Sequence, residues 1–267
     1  GEGRTGVKQA LATSAMDQCV EIGRRITDFD AKRAAYRNQS GRFRRGVGMA
    51  VVMHGSSVAN LDMAAATLKM NDDGSFNLLI GATDLGTGSD TVLAQIAAEV
   101  LNTDVDDIIV YSSDTDFTPF DKGAYASSTA YLSGEAVRKT AVAIKDQLLE
   151  HAGIMLGVKD ISTLKLDYKK VVTADGREVS LEEIGLSSLH QQAQHQIMAT
   201  ESHVSPVSPP PTAAQFVEIE VDTETGKVKT DRLVMVVDCG RVLNPVTASG
   251  QVEGGMVQAL GYALVER

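Results

Sequence analysis

Two segments rich in glycine and hydroxyl residues carry the residue types that bind anionic ligands. The first, residues 81–90, is Gly-Ala-Thr-Asp-Leu-Gly-Thr-Gly-Ser-Asp. Glycines let the backbone approach a ligand, hydroxyls form hydrogen bonds, and amides at a helix start carry partial positive charge, so a phosphate or pyrophosphate fits here. A strand-to-helix turn with Ser89 as its N-cap explains the local pattern at least as well, and neither the G-x-G-x-x-G nor the P-loop lysine motif is present.

The second segment occupies residues 122–134, Lys-Gly-Ala-Tyr-Ala-Ser-Ser-Thr-Ala-Tyr-Leu-Ser-Gly. Six of its thirteen residues are Ser, Thr or Gly, which is more than a turn needs. Small residues admit a flat ligand, and Ser127, Ser128 and Thr129 can donate or accept hydrogen bonds. A capping loop with close helix packing is an equal alternative. Because both segments precede an expected helix, together they favour one shared ligand.

Two further stretches could contribute to such a site. Residues 250–255, Gly-Gln-Val-Glu-Gly-Gly, give a third glycine-rich helix start and an amide side chain at Gln251, with close helix packing as the simpler explanation. His54, before Gly55, Ser56 and Ser57, lies at an expected strand end and could face a pocket, but a surface histidine is the simpler interpretation.

Metal-ligating patterns are weak. His190, His195 and His203 match no compact zinc signature, and a solvated polar stretch is favoured. The Asp-Thr-Asp sequence at residues 114–116 is typical of turn chemistry, with a carboxylate metal site as the minor alternative.

The elements that must position these residues predict an α+β fold with mixed sheets and flanking helices. Turn signals occur at residues 72–75, 175–176 and 225–226, and prolines make 202–212 a connector. The expected helices cover about 6–36, 90–101, 133–153 and 247 onward, and the expected strands cover 47–53, 61–70, 76–80, 108–112, 164–173, 216–222 and 229–237.

Composition excludes several classes of protein. The chain has 267 residues, 43% of them apolar, which is enough for a sizeable core. Its net charge of −10 has no basic run, so we expect no nucleic-acid partner. Without a long apolar stretch or leader-like start, we expect no membrane association and a cytoplasmic location. Two cysteines far apart exclude a disulfide framework or a four-thiolate iron–sulfur cluster, and each is expected to be a small apolar residue.

The composition changes along the chain predict three parts. Residues 1–45 are expected to be a peripheral helical segment, 46–157 a first lobe and 158–267 a second lobe. The last residues read as a helix without a C-cap, so we expect a piece of a longer protein, truncated at its C-terminal end.

In chain order, these segments resemble the molybdenum-cofactor-binding part of the xanthine dehydrogenase and aldehyde oxidase family of molybdenum hydroxylases. The resemblance covers nearly the whole chain after Arg44. Thr87 stands where many members have Gln, and the Gly-Thr-Gly-Ser form is similar to bacterial purine or xanthine hydroxylases. The residues that carry the family resemblance are 81–88, 125–129 with 133–134, the Val-Asp-Cys-Gly sequence at 237–240, the Leu-Asn-Pro sequence at 243–245, and 250–254.

The resemblance implies a partial, two-lobed molybdopterin-binding domain. It implies that Gly55, Ser56 and Ser57 line the substrate funnel, where Ser56 replaces an aromatic residue frequent in xanthine-oxidising members. The cofactor's own ligands hold molybdenum, so no protein metal ligand is expected. The implied cofactor-binding residues are Gly86, Thr87, Gly88, Ser89, Tyr125, Ala126, Ser127, Ser128, Thr129 and Gln251.

The catalytic residue of the family is expected to be missing. The general base is a glutamate in a Gly-Glu motif that the resemblance places beyond Arg267, and Glu253 is no substitute for it. An upstream arginine-bearing pterin segment is also absent, so no catalytic residue is assigned and the fragment alone should be inactive.

The leading hypothesis is therefore part of the molybdopterin-binding subunit of a xanthine dehydrogenase-type oxidoreductase of purine catabolism. It would hydroxylate xanthine or a related N-heterocycle using water. Its cofactor would be molybdenum-molybdopterin, with the cytosine dinucleotide form as one option. Its partners would be the remainder of the subunit and modules that carry iron–sulfur clusters and FAD. The alternatives are a nicotinate or aldehyde hydroxylase of the same family, or a non-catalytic cofactor-carrying or assembly module.

Overall fold

A computed structural model describes residues 2–4, 8–191 and 194–266. The chain forms two compact units, Gly1–Ser56 with Pro209–Arg267, and Ser57–Ser208. The helices of the described residues are α1 (Met16–Thr27), α2 (Phe29–Ala35), α3 (Ser89–Leu101), α4 (Thr129–Leu156), α5 (Leu181–His190) and α6 (Pro245–Leu264). The strands are β1 (Glu2–Arg4), β2 (Lys8–Ala10), β3 (Phe43–Met53), β4 (Met63–Met70), β5 (Phe76–Ile80), β6 (Ile108–Ser112), β7 (Lys165–Asp167), β8 (Lys170–Val172), β9 (Glu178–Ser180), β10 (Met198–Val204), β11 (Thr212–Asp222) and β12 (Val228–Asp238).

The second unit, Ser57–Ser208, is built on a mixed sheet with strand order β10-β4-β5-β6. β4 and β5 form an antiparallel hairpin, and Gly74 in its turn has a φ of 85°, which favours glycine. β5 and β6 are parallel, with Phe76 opposite Ile108 and Ile80 opposite Ser112. A parallel pair needs a crossover connection, and α3 supplies it. The carboxyl ends of β5 and β6 therefore lie at one edge of the sheet.

The core of the second unit lies where α3 and α4 pack on each other and on this sheet. Gly134 on α4 allows close approach, since a Cβ there would lie 2.9 Å from Cδ1 of Ile96 on α3. The buried hydroxyl of Thr140 donates to the carbonyl of Ala66 at 3.1 Å, which ties α4 to β4. The largest fully buried side chains include Leu68, Phe76, Leu78, Leu93, Ile144 and Leu148.

The first unit, Gly1–Ser56 with Pro209–Arg267, is built on an antiparallel sheet with strand order β12-β11-β3. Helix α1 packs against β11 and β12. Gly23 makes this possible, because a Cβ there would lie 1.9 Å from the Phe216 ring. Phe29 meets Phe216 edge to face at 5.6 Å between ring centroids. Cys19 and Ala214 complete a small core, which fixes α1 and α2 on one face of the sheet.

Most expected elements are confirmed. The strands expected over 47–53, 61–70, 76–80, 108–112, 216–222 and 229–237 are present, several with longer or shifted ends. The helices over 90–101 and from 247 are present as α3 and α6, and the α+β class holds. The second central helix starts at Thr129 instead of Ser133, because the Leu132 amide already donates to the carbonyl of Ser128 at 2.7 Å.

Four segments differ from the sequence prediction. The helix expected over 6–36 begins only at Met16, and Asp28, with a φ of 53°, divides it into α1 and α2; Gly6 lies outside the described residues. The strand over 164–173 is split into β7 and β8 by a turn at Lys169, which has a φ of 54°. The polar stretch 190–203 contains β10, which pairs with β4 along seven residues. Helix α5, capped by Ser180, was not predicted at all.

The two compact units do not follow the boundaries expected after residues 45 and 157. The division falls at Ser57 and Pro209, and residue 157 lies within the second unit. The reason is long-range strand pairing: β3 pairs with β11, and β4 pairs with β10. Such pairing joins distant parts of the chain and leaves no local composition signal.

Membrane and thiol features are simple. No helix in the described part of the chain is long and apolar enough to cross a membrane. Cys19 is buried in α1, whereas Cys239, after β12, is exposed. The prediction of a small apolar residue is therefore confirmed for Cys19 and wrong for Cys239.

Candidate cofactor-binding site

The parallel pair β5 and β6 brings the two glycine-and-hydroxyl segments to the same edge of the sheet. The first segment follows Ile80 and leads into α3, and the second belongs to the connection from Ser112 to α4. The connections touch at Gly81, where a Cβ would lie 2.4 Å from the carbonyl oxygen of Pro119. The amide of Ser113 also donates to the carbonyl of Ile80 at 3.0 Å. Ligands of open sheets bind at such carboxyl ends of parallel strands.

The first segment is organised by the carboxylate of Asp84. Its Oδ1 accepts the amides of Gly86 at 2.8 Å and Gly88 at 3.1 Å, and its Oδ2 accepts the amide of Asp90 at 3.3 Å. Burial raises the pKa of Asp84, but these amide hydrogen bonds outweigh it and hold the pKa below its ordinary value. The N-cap position is Gly88, not Ser89. Three amides that the sequence left available to an anion are thus already bonded within the protein.

Two buried polar atoms of this segment have no partner among the described residues, the Ser89 hydroxyl oxygen and one carboxylate oxygen of Asp90. Ser89 is 7% exposed, and its Oγ has no hydrogen-bond partner among the described residues. Its neighbour Asp90 accepts the Ser112 hydroxyl at 3.0 Å with one oxygen, while the other oxygen is buried without a partner. An unpaired buried polar group costs about 1–3 kcal/mol, so such groups are rare where no ligand or water completes them.

The second segment contains two consecutive non-glycine residues in the left-handed region. Ala126 has a φ of 49° and Ser127 a φ of 52°. The hydroxyl of Ser128 donates to the carbonyl of Tyr125 at 2.7 Å, which closes the turn before α4 starts at Thr129. Left-handed non-glycine residues cost about 1–3 kcal/mol each and concentrate at ligand sites. The backbone here is therefore held by its surroundings.

A buried carboxylate holds this turn in place. Asp62, 2% exposed, accepts a hydrogen bond from the Tyr125 hydroxyl and another from the Val58 amide at 2.6 Å. The amide of Ser57 donates to the carbonyl of Ala126 at 2.8 Å, and the Ser57 hydroxyl is buried without a partner among the described residues. Sequence analysis missed Asp62, which lies 63 positions before Tyr125 and belongs to no motif.

The remaining predicted residues lie in the first unit. Ser56 donates its amide to the carbonyl of Pro209 at 3.1 Å, next to Gly55 and the exposed His54. Gln251 is exposed in the interior of α6, whose start is capped by Asn244 seven residues earlier, so it is not at a helix start. A Cβ at any of Gly250, Gly254 and Gly255 would meet no described heavy atom within 4 Å, which gives no support to close helix packing.

The residues with metal-ligating side chains are dispersed. Among the residues that the structure describes, no three His, Cys, Asp or Glu side chains are grouped so that they could hold a metal ion. Asp114 accepts the Asp116 amide at 2.9 Å and the Tyr111 hydroxyl at 2.7 Å, which confirms turn chemistry. His190 and His195 are exposed, as expected for a solvated stretch, and the His195 ring lies 5.1 Å from that of the buried His151.

Comparison with known proteins decides the family. A family model for the molybdopterin cofactor-binding domain matches residues 23–267. The chain belongs to this family. The putative xanthine dehydrogenase molybdenum-binding subunit of Escherichia coli strain K12 is 36% identical over 262 residues, 96% of this chain and 35% of the relative. The probable hypoxanthine oxidase of the same organism is 34% identical over 268 residues, all of this chain and 27% of the relative.

Other similar proteins are more distant in sequence. The nicotine 6-hydroxylase large subunit of Paenarthrobacter nicotinovorans is 29% identical over 209 residues, 76% of this chain and 26% of the relative. Quinoline 2-oxidoreductase from Pseudomonas putida 86 has the same fold, with a TM-score of 0.84 and 21% identity over 95% of this chain and 34% of that one. The chain thus spans about a third of the length of these two curated relatives from Escherichia coli.

The described residues of the second unit fit a polar cofactor with phosphate groups. The buried, unpaired hydroxyls of Ser57 and Ser89 offer hydrogen bonds. Open space surrounds the left-handed glycines Gly86 and Gly123, where a Cβ would meet nothing within 4 Å. Hydroxyl groups suit a pyrophosphate or pterin because they donate and accept.

Proposed function

We propose that the chain is part of the molybdopterin-binding subunit of a molybdenum hydroxylase. The observation that carries the proposal is the pairing of two segments at the carboxyl edge of β5 and β6, with the unpaired Ser89 hydroxyl on one and the left-handed Ala126-Ser127 turn on the other. Membership of the family supports it. Because the chain covers about a third of its relatives, the activity is proposed for the whole protein that contains it.

The chain's own residues would hold the cofactor. The hydroxyls of Ser89, Ser127 and Thr129 would donate hydrogen bonds to phosphate or pterin oxygens, and the Ser128 hydroxyl, which donates to the Tyr125 carbonyl, would accept one from the pterin. The backbone at Gly86 and Ala126 would lie beside them. When bound, the molybdenum cofactor supplies the two-electron redox chemistry of the reaction. Roles for Thr87, Gly88, Tyr125 and Gln251 in binding, and the cytosine dinucleotide form of the cofactor, follow from the family resemblance and are part of the proposal.

The proposed substrate is xanthine or a related N-heterocycle, hydroxylated with oxygen from water. The names of the two Escherichia coli relatives, which refer to xanthine and hypoxanthine, support this choice. Gly55, Ser56 and Ser57 would line the substrate path. We further propose that the glutamate base lies outside these 267 residues, that this chain alone is inactive, and that electrons leave through partner modules carrying iron–sulfur clusters and FAD.

Isolation of the protein with its accompanying subunits tests the proposal. Molybdenum is measured by elemental mass spectrometry. The pterin is measured by the fluorescence of its oxidised form. We expect molybdenum and pterin in equimolar amounts with the protein. The substitution Gly88→Trp or Ser127→Trp should remove both the metal and the pterin. Full cofactor content in both variants, or a wild-type protein without molybdenum and pterin, would overturn the assignment.

Nicotinate or aldehyde hydroxylation is the second candidate, and the name of a further relative, an aldehyde oxidoreductase molybdenum-binding subunit of Escherichia coli, favours the aldehyde. Substrate-dependent dye reduction by the same preparation separates the candidates, with xanthine, hypoxanthine, nicotinate and benzaldehyde as substrates. Preference for a purine supports the first proposal, and preference for nicotinate or benzaldehyde replaces it. Cofactor without turnover of any substrate favours a cofactor-carrying or assembly module.

A further inference from the structure

We propose that Asp84 is a positioning residue for the cofactor. Its carboxylate fills the ring of amides at the start of α3, so that the Ser89 hydroxyl, and not the Gly86 and Gly88 amides, is the group this segment offers to a ligand. The inference rests on the proposed function, which gives Asp84 itself no role in binding the cofactor.

The geometry of the segment leaves one consistent role for this carboxylate. Gly86 and Gly88 both have left-handed backbone, with φ values of 92° and 75°. These conformations turn both amides toward Asp84, and the Asp90 amide joins them from the first turn of α3. Successive amides in such turns form an anion-binding concavity. Here the protein's own anion occupies it.

Electrostatics then limits what the segment can bind. A pyrophosphate at these amides would have to displace a carboxylate or lie beside it, and like charges at short range repel. The helix-start charge of α3 is likewise already compensated by Asp84 and Asp90. The buried hydroxyl of Ser89 carries no charge and has no partner among the described residues. It can therefore donate a hydrogen bond to an uncharged oxygen of the ligand, such as one on the pterin, beside the carboxylate.

The same carboxylate fixes where that hydroxyl lies. Asp84 holds the amide of Asp90, and Asp90 accepts the Ser112 hydroxyl at 3.0 Å from the last residue of β6. Ser89 lies between these anchored groups in the first turn of α3. Loss of the carboxylate would release the amides of Gly88 and Asp90, which lie on either side of Ser89, and Ser89 would lose its fixed position.

Hydrogen exchange and cofactor content test the proposal together, in the protein purified with its accompanying subunits. Asp84→Asn keeps the size of the side chain but replaces an accepting oxygen with a donating amide group. We expect the amides of Gly86, Gly88 and Asp90 to exchange about tenfold faster or more, as for loss of a hydrogen bond to a charged group. Molybdenum per protein should fall several-fold. A folded far-ultraviolet dichroism spectrum establishes that the variant is intact.

Two variants serve as controls. Asp73→Asn removes the same kind of carboxylate, which accepts the Ser75 amide at 2.9 Å in the turn at the other end of β5. It should leave exchange at 85–90 and molybdenum content as in the wild type. Ser89→Ala should lower molybdenum content while the 85–90 amides stay protected, because Asp84 is still present. This variant separates loss of cofactor from loss of the loop.

Each contrary outcome has a definite meaning. Wild-type exchange in Asp84→Asn overturns the role of the carboxylate, and faster exchange with full molybdenum content overturns its link to the cofactor. Equal molybdenum loss in Asp73→Asn overturns it too, since the effect would then be general destabilisation. Full content in Ser89→Ala overturns the role of that hydroxyl. Absence of molybdenum and pterin from the wild type overturns the proposed function itself, whatever the loop exchange shows.

Discussion

The hydroxyl of Tyr125 donates a hydrogen bond to the carboxylate of Asp62, a residue that is 2% exposed. This hydrogen bond raises the pKa of Tyr125, and burial acts in the same direction. Because Asp62 also accepts the Val58 amide, one carboxylate fixes both the segment that follows Ser57 and the left-handed turn at Ala126. The second glycine-and-hydroxyl segment is therefore held by a group outside itself.

Tyr125→Phe should loosen this turn without unfolding the second unit, because only the hydroxyl is lost. We expect amide exchange over 125–129 to rise roughly tenfold, as for loss of a hydrogen bond to a charged group, together with lower molybdenum content. Tyr168→Phe is the matched control, since it removes a hydrogen bond of the same type, to Asp104, at 2.7 Å. Identical exchange over 125–129 in both variants would contradict the role given to Asp62.

Gly81→Ala should destabilise the contact between the two connections. The added Cβ would lie 2.4 Å from the Pro119 carbonyl oxygen, a backbone atom that cannot rotate away. Overpacking of this kind costs about 1–3 kcal/mol. Gly254→Ala is the control, because a Cβ there meets only open space. Replacing glycine with alanine in a helix interior stabilises the folded state by about 0.5–1 kcal/mol. Thermal denaturation of both variants checks the prediction, which fails if Gly81→Ala melts at the wild-type temperature.

His151 should make the second unit sensitive to acid. It is 2% exposed, and burial, followed by the neighbouring His195, lowers the pKa of His151. The unfolded chain therefore takes up a proton at a higher pH than the folded chain, so stability decreases as the pH falls through about 6.5. Denaturant unfolding between about pH 8 and 5 measures this slope. The substitution His151→Gln should reduce this slope, whereas substitution of the exposed His54 should leave it unchanged. An unchanged slope in His151→Gln would refute the prediction.

Lys32 and Glu218 should show strong coupling in the first unit. The ammonium of Lys32 lies 2.5 Å from the buried carboxylate of Glu218, which also accepts the Tyr36 hydroxyl at 2.7 Å. The hydrogen bond from Lys32 lowers the pKa of Glu218, so this contribution is lost as the pH falls toward and below about 4. Lys32→Met should cost about 1–3 kcal/mol because the carboxylate loses its partner.

The double variant Lys32→Met with Glu218→Gln provides the check. It should recover part of the loss, since the unpaired charge is removed along with its partner. Urea unfolding of the two single variants and the double variant gives the coupling energy. Strictly additive effects would show that the pair contributes nothing beyond its separate side chains.

Local sequence signals were enough for the elements around the site. The turn at residues 72–75 and the apolar periodicity after Asp90 predicted β4, β5 and α3. The order of the glycine-rich segments indicated the family, which the match over residues 23–267 confirms. The role proposed for Asp84 also has a local signal, since this aspartate lies two positions before Gly86 and four positions before Gly88. The sequence analysis instead assigned the helix cap to Ser89.

Only the tertiary structure decided how these pieces meet. β10 pairs with β4 across more than a hundred residues, so a stretch that looks polar and solvated becomes a sheet edge and places the unit boundary at Ser57. Asp62 meets Tyr125 because their elements are neighbours in space, not in the chain. Local composition records how each segment prefers to fold, but pairing between distant segments depends on packing and hydrogen bonds that exist only once the chain is folded. The sequence by itself thus determined the type of cofactor segment, and the fold determined which carboxylates hold those segments and which hydroxyls remain for a ligand.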